Sequence, residues 1–247
     1  MSRTILAIGA HLDDAFIGAG GVLLQAAKAG CRVVIVTVVS DFSTRVQTRG
    51  QETLTVKDLL ALSEARGFEH RLLGYPYHQV DASDMGLKKE LAAISVECRP
   101  DVAFIHHDQD HWPDHAACAK LGQDAVMFTH GLTADLTQRS CPLVYAFDLT
   151  PRQTYAFTPD VFYDVGDVLG EFMDLILAVD ACAWRKDEGS SVTAEFRNVG
   201  PGNRPIRLSH HGLSRLGDCI RFGDLAGCRF ALGFRTVWGD RRGPVLW

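Results

Sequence analysis

Thr4-Ile5-Leu6-Ala7-Ile8-Gly9-Ala10-His11-Leu12-Asp13-Asp14-Ala15-Phe16-Ile17-Gly18-Ala19-Gly20-Gly21 is the stretch that decides the fold. Its first seven residues are a short apolar run of strand length. A polar loop follows at once, then small residues, then an apolar stretch from Val22 to Ala29 of helical length. Strand, loop, glycines and helix in that order open a βαβ unit. In open α/β sheets, ligands bind beyond the carboxyl ends of the strands, where this loop lies. The loop carries one imidazole and two carboxylates within four residues, the groups that bind a divalent cation and move protons.

Outward from this stretch the alternation repeats. Cys31 to Val39 is a continuous, β-branched run and predicts a buried parallel strand. A helix is expected over Arg49–Arg66, ended by Gly67. A strand is expected over His70–Pro76, a helix over Met85–Arg99 closed by Pro100, and a strand over Val102–Ile105. Then come a helix from Ala116 to about Thr129, a strand at Pro142–Phe147, an extended piece at Phe157–Asp164 and a helix from Asp167 to Trp184. The fold class is therefore α/β: a Rossmann-like, mostly parallel sheet flanked by helices, in three α/β/α layers. Beyond Trp184 the composition changes. Residues 185–205 are polar and rich in Gly, Ser and Asn, and read as a long loop; Gly212–Cys219 reads as a short helix, Gly227–Phe234 as a final strand and 239–243 as a mobile tail. The expectation is a single domain over 1–247, with an α/β core over 1–184 and an irregular, loop-rich C-terminal segment packed on it.

Composition excludes several classes. A net charge of −5 gives no electrostatic footprint for nucleic acid. No apolar run reaches the ~20 residues that span a bilayer. The N-terminus enters a strand without the pattern of a secretory signal, so a cytoplasmic location is expected. The seven cysteines form no C-x-x-C pair, and read as small buried hydrophobes in a reducing compartment. The expected partner is a small-molecule substrate, with no membrane; a homo-oligomer is compatible.

Two clusters end two of the expected strands: His11/Asp13/Asp14 and Asp110/His111/Asp114/His115. In one parallel sheet both would lie along the same edge. Two histidines and one carboxylate are the usual ligand set of a catalytic zinc that keeps a position open for water. Such an ion brings the pKa of water toward ~7 and polarises a carbonyl. The first cluster has one carboxylate more than the ion requires, and the surplus residue is a candidate base. Against this stands helix capping, a common task for Asp after a strand, for Asp13 or Asp14 and for Asp114 ahead of a helix at Ala116. The glycines have a rival reading too, a dinucleotide loop with Asp41 as the ribose acid, but the polar tetrad breaks the required G-x-G-x-x-G spacing.

Ala10-His11-Leu12-Asp13-Asp14 followed by Ile17-Gly18-Ala19-Gly20-Gly21 resembles the A-H-P-D-D-E-x-x-G-x-G-G signature of the N-acetylglucosaminyl deacetylase family (PIG-L/LmbE-like). Pro113-Asp114-His115 resembles its H-P-D-H motif, Arg49-x-x-Glu52 its R-x-x-E, Tyr163-Asp164-Val165 its late strand, and 227–234 its closing segment. The resemblance implies a Rossmann-like, zinc-dependent N-deacetylase or amidohydrolase acting on linear amide C–N bonds of N-acetylated amino sugars or related amides. It implies His11, Asp14 and His115 as metal ligands, Asp13 as general base and Asp114 as the group orienting a ligand. The ligands also admit another divalent ion such as Fe2+.

The chain departs from the signature in places. Leu12 stands for the usual proline and Ala15 for the usual glutamate. Trp112 stands where the family often has a histidine that stabilises the oxyanion, a donor typically worth ~10²–10³ in rate. His111, one residue away, is the expected substitute, with His107 as second choice. Tyr77 follows Pro76 where many members have a sugar-contacting aspartate, so Tyr77 and Trp112 are expected as apolar platforms for substrate. Arg49 and Arg152 are further candidate substrate contacts, against a salt-bridged or solvated role. Two rival functions are carried forward: a non-catalytic binding relative, favoured by Ala15 and Trp112, and a nucleotide-binding α/β transferase.

Overall fold

The opening apolar run becomes strand β1 (Thr4–Gly9), buried throughout beyond Thr4. Ile5 and Ala7 join one core cluster, while Leu6 and Ile8 join a second on the opposite face. Both faces of the strand are covered, which is why its sequence is apolar without alternation. This computed structural model describes residues 3–48, 50–133, 142–149, 156–184, 192, 194–196 and 205–239.

The chain continues through α1 (Asp14–Lys28), β2 (Arg32–Asp41), α2 (Glu52–Glu64), β3 (Phe68–Pro76), α3 (Met85–Cys98), β4 (Val102–His106), α4 (Pro113–Met127) and α5 (Thr129–Thr133). It then passes through β5 (Leu143–Phe147), β6 (Val161–Asp164), α6 (Leu169–Trp184), β7 (Ala194–Phe196), β8 (Ile206–Leu208), α7 (His210–Ala226) and β9 (Ala231–Trp238). Seven strands form one sheet in the order β3-β2-β1-β4-β5-β9-β6. The first five are parallel, and β9 runs antiparallel to both its neighbours. Helices α1, α2, α6 and α7 bury their apolar residues in the cluster on one face, and α3, α4 and α5 in that on the other. The sheet is thus α/β, mostly parallel and flanked by helices on both sides. From β1 the chain goes outward to β2 and β3 and later returns to β4 on β1's other side, so the carboxyl ends of β1 and β4 form a topological switch point.

The structure corrects four expectations. Helix α4 starts at Pro113, not Ala116. Proline at the first helical turn lacks only an N–H that would have no partner there, so Asp114 and His115 lie on the helix and not in a loop before it. Helix α7 is a full 17 residues and not the short Gly212–Cys219 piece. The Ser209 side chain accepts from the Gly212 N–H at its start, and Gly227 ends it at φ 73°. The stretch expected as loop contains β7, which pairs antiparallel with β8 just beyond it. Finally, Gly18, Gly20 and Gly21 lie inside α1 and not in a loop before it. A methyl at Gly18 would collide with the Phe147 ring, and one at Gly21 would meet Val165 at 3.1 Å. These glycines serve close packing of α1 on the core, which removes the phosphate loop the dinucleotide reading needs. Arg49, Arg152 and residues 240–243 of the expected tail lie outside the described residues. Among the described residues no helix is long and apolar enough to cross a membrane.

Candidate active site

Both polar clusters meet at the switch point. His11 leaves the end of β1, Asp14 is the first residue of α1, and His115 sits in the first turn of α4. His11 Nδ1 lies 3.0 Å from His115 Nε2 and 3.6 Å from Asp14 Oδ2, and His115 Nε2 lies 3.5 Å from Asp14 Oδ1. The backbone N–H of His11 donates to Asp14 Oδ2 at 2.6 Å, which ties the strand end to the helix start.

The outer nitrogens of both rings are taken by carboxylates. His11 Nε2 lies 3.0 Å from Asp114 Oδ2, and His115 Nδ1 lies 3.0 Å from Asp110 Oδ2. A carboxylate accepts only, so these outer nitrogens carry the ring hydrogens. In the neutral rings the two inner nitrogens then face each other at 3.0 Å as bare lone pairs, with Asp14 beside them. Two lone pairs and a carboxylate converging in this way are a donor set for a cation. His11, Asp14 and His115 therefore fit a divalent metal, and Asp114 and Asp110 are the carboxylates that fix each ring's tautomer.

The electrostatics agree. Burial opposes charge on His115, but Asp14 and Asp110 outweigh it and raise its pKa above the ordinary histidine value. Burial likewise pushes Asp14 up, but His115, His106 and His11 hold it well below the usual carboxylate range. Asp13 goes the other way: burial and then the neighbouring Asp14 charge raise it, against His211 and His11. Two adjacent carboxylates are thus driven apart in pKa, one held ionised and one made more basic, as an acid–base site requires. Asp13 occupies the N-cap position of α1 but makes no side-chain cap bond. Asp114 is no cap either; it accepts from the His78 and Val80 N–H groups at 2.9 and 3.2 Å as well as facing His11.

A cleft opens over these residues, lined also by Tyr77, Trp112, Phe42, Arg45 and His211. The Tyr77 ring lies 5.2 Å from His11 and that of Trp112 6.3 Å from it. His78 stacks on Trp112 at 5.2 Å and 16°, backing it from the side. The structure does not bring His111 into this lining. The Trp112 N–H donates to Asp110 Oδ1 at 2.8 Å, and this tight turn leaves His111 exposed. His107 is buried outside the lining, edge-on to Phe157.

Sequence reasoning missed four residues. His106, at the end of β4, lies 3.1 Å from Asp14 Oδ2 and stacks on His115 at 4.6 Å. Its place at a strand's carboxyl end was a usable signal. Arg45 reaches the cleft while its Nη1 donates to the Ala183 carbonyl at 2.9 Å. His211, in the first turn of α7, lies 2.7 Å by Nδ1 from Oδ1 of Asp180 on α6. Asp13, Asp180 and His211 form a second cluster whose donor atoms lie within 4.8 Å of one another. Nothing local in the sequence links 180 and 211 to 13.

Fold and site together define an α/β protein with a histidine–carboxylate cluster at the switch point of its sheet. The family model described as GlcNAc-PI de-N-acetylase, PIG-L, matches residues 6–126, and the chain carries a domain of the PIG-L family. Solved structures share the whole fold. The conserved protein TT1542 of Thermus thermophilus superposes with TM-score 0.70 at 21% identity, covering 96% of this chain and 95% of that one. The N,N'-diacetylchitobiose deacetylase of Pyrococcus horikoshii gives 0.69 at 18%, covering 96% and 84%. The 4-carboxy-2-hydroxymuconate hydratase of Pseudomonas putida gives 0.70 at 18%, covering 96% and 97%. The last two names are different reactions on one fold, so the reaction must be argued from the site.

Proposed function

We propose that this protein is a divalent-metal-dependent amidohydrolase that removes the acyl group from an N-acylated amino sugar or a related small amide. The observation that carries the reading is the pair of inner imidazole nitrogens facing each other at 3.0 Å, both outer nitrogens committed to carboxylates, with Asp13 to spare. His11, Asp14 and His115 would hold the ion, Zn2+ or Fe2+. It would supply Lewis acidity, polarising the carbonyl and acidifying water. Asp13, its carboxylate made more basic by burial and by Asp14, takes the proton of the attacking water. Asp114 and Asp110 keep the two imidazoles in the tautomers that face inward. Tyr77 and Trp112 offer aromatic faces to the substrate beside His11, in keeping with a sugar ring or an aromatic amide. The family description and the deacetylase neighbour support this class.

The test is elemental analysis of the purified protein paired with amine release from a panel of N-acetylated sugars and acetamides. About one ion per chain with amine release supports the reading. Bound metal without turnover on any member of the panel favours the non-catalytic relative. No metal after reconstitution with Zn2+ or Fe2+ overturns the ligand assignment.

A further inference from the structure

Trp112 lines the cleft but has no proton to give, and His111 is exposed outside the lining. If the amidohydrolase reading holds, the leaving nitrogen still needs a proton, and among the described residues that line the cleft His211 is a histidine without a role so far. We propose that His211, oriented by Asp180, is the catalytic acid that protonates the leaving amine.

The geometry is specific. His211 lines the same cleft as His11, Asp13 and His115. Its Nδ1–H donates to Asp180 Oδ1 at 2.7 Å, which fixes the ring and leaves Nε2 to exchange a proton. Asp180 is only 4% exposed, and its Oδ2 is buried with no hydrogen-bond partner. A buried carboxylate held this way is costly unless a positive charge stands beside it, and His211 is that charge. Asp13 completes the cluster within 4.8 Å. The groups facing His211 are Asp180 from α6, Asp13 and Asp14 from the β1–α1 turn, and His210 on its own helix at 5.6 Å. Burial works against the imidazolium, but the Asp180 hydrogen bond and the three carboxylate charges outweigh it and raise His211 to about 8. At neutral pH it therefore carries the proton that a general acid needs.

The proton balance closes. Water adds to the carbonyl carbon, forming the C–O bond, and gives its proton to Asp13. The amide nitrogen takes a proton from His211 as the C–N bond breaks, releasing amine and acid. Asp13 then releases to solvent the proton it took from water and His211 takes one up from solvent, so both return to their starting states with no net proton consumed by the two side chains.

Asp180 and His211 could instead serve only to pin α6 to α7, and the test separates the two roles. His211→Asn, which retains a donor for Asp180, and Asp180→Asn are compared with wild type. The readouts are metal content, melting temperature, and kcat and KM against pH. The substrates are N-acetylglucosamine and p-nitroacetanilide, whose weakly basic amine depends less on acid assistance. In His211→Asn, metal content and KM stay near wild type while kcat on the sugar falls by about 10² or more. The alkaline limb near pH 8 disappears, and the anilide loses less than the sugar. In Asp180→Asn the alkaline limb moves to lower pH. A His211→Asn kcat within about threefold of wild type, well short of the ~10² or more that acid catalysis supplies, overturns the inference. So does an equal loss on both substrates that tracks a fall in melting temperature. If the wild-type chain hydrolyses neither substrate nor any other member of the panel, the amidohydrolase reading itself fails and takes this inference with it. Full activity in His211→Asn removes the inference alone.

Discussion

Replacing Asp114 by alanine separates two accounts of that residue by magnitude. As a helix cap it would be worth about 0.5–2 kcal/mol. As it stands in the structure, its carboxylate is 1% exposed and serves three donors: the His78 and Val80 N–H groups and His11 Nε2. Each donor stranded in a buried setting costs about 1–3 kcal/mol. The two backbone donors belong to a partly buried loop, where water recovers part of the loss. The net cost in the metal-free protein is then about 3–5 kcal/mol, a large share of the ~5–15 kcal/mol that holds an ordinary domain. Asp114→Asn keeps one carbonyl acceptor and should lose about half as much. Urea unfolding in the presence of chelator measures both. A loss below about 1 kcal/mol for Asp114→Ala, no more than a cap, would refute the reasoning. The same asparagine variant should bind Zn2+ about 10–100-fold more weakly, because a neutral amide replaces the carboxylate that faces His11 Nε2 and fixes its tautomer.

Asp13→Asn should keep its metal and lose about 10²–10⁴ in kcat, measured by amine release against elemental analysis; wild-type turnover would take Asp13 out of the mechanism. His115→Ala should bind Zn2+ far more weakly in equilibrium dialysis, and undiminished zinc content would sink the ligand assignment. His70 gives a pH dependence away from the site. It lies between the hydroxyls of Thr37 and Ser63, at 2.9 and 2.8 Å, and burial lowers it to about 4. Its folded pKa is depressed below the unfolded value of about 6.5, so the unfolded chain binds the proton first. Stability is therefore lost as pH falls from about 6.5 toward 4, by about 2 kcal/mol at pH 5. His70→Gln should show that much less acid sensitivity in urea melts between pH 7.5 and pH 5, and an unchanged difference would contradict the burial argument.

The β1–α1 unit and both polar clusters were legible because their signals are local. A short apolar run ends in charged residues, and a buried parallel strand leaves nowhere else for them but its carboxyl end. Capping was the competing use for Asp13, Asp14 and Asp114, and only coordinates show that the side chains of Asp13 and Asp114 turn elsewhere. Pro113 marked the start of α4 three residues early, but the polar run around it hid the helix. Helix α7 was underestimated because glycines at 212, 217 and 223 interrupt its pattern; Gly223 sits there because a side chain would strike the Arg229 backbone at 2.7 Å. His211 was invisible for a further reason. Its meaning comes from Asp180, 31 positions away on another helix, and from Asp13 at the other end of the chain. Periodicity cannot report a contact between elements whose order in space is set by tertiary packing.

The insertion of β9 between β5 and β6 has a consequence for the chain as it is made. His11, Asp14 and His115 have all been synthesised by the time α4 emerges. At that point β5 does not yet exist, and when it forms it pairs with β4 on one side only. Its other edge, beside the fully buried Tyr145 and Phe147, stays open until residues 231–238 arrive to pair with it. Among the described residues strand β6 pairs with β9 alone, and it waits for the same residues. For over eighty residues of elongation the nascent sheet carries an unpaired apolar edge, the arrangement most prone to joining another chain. A product cut short before Ala231 therefore retains every proposed metal ligand and is a seed for aggregation, and the last strand is what makes the protein safe to accumulate.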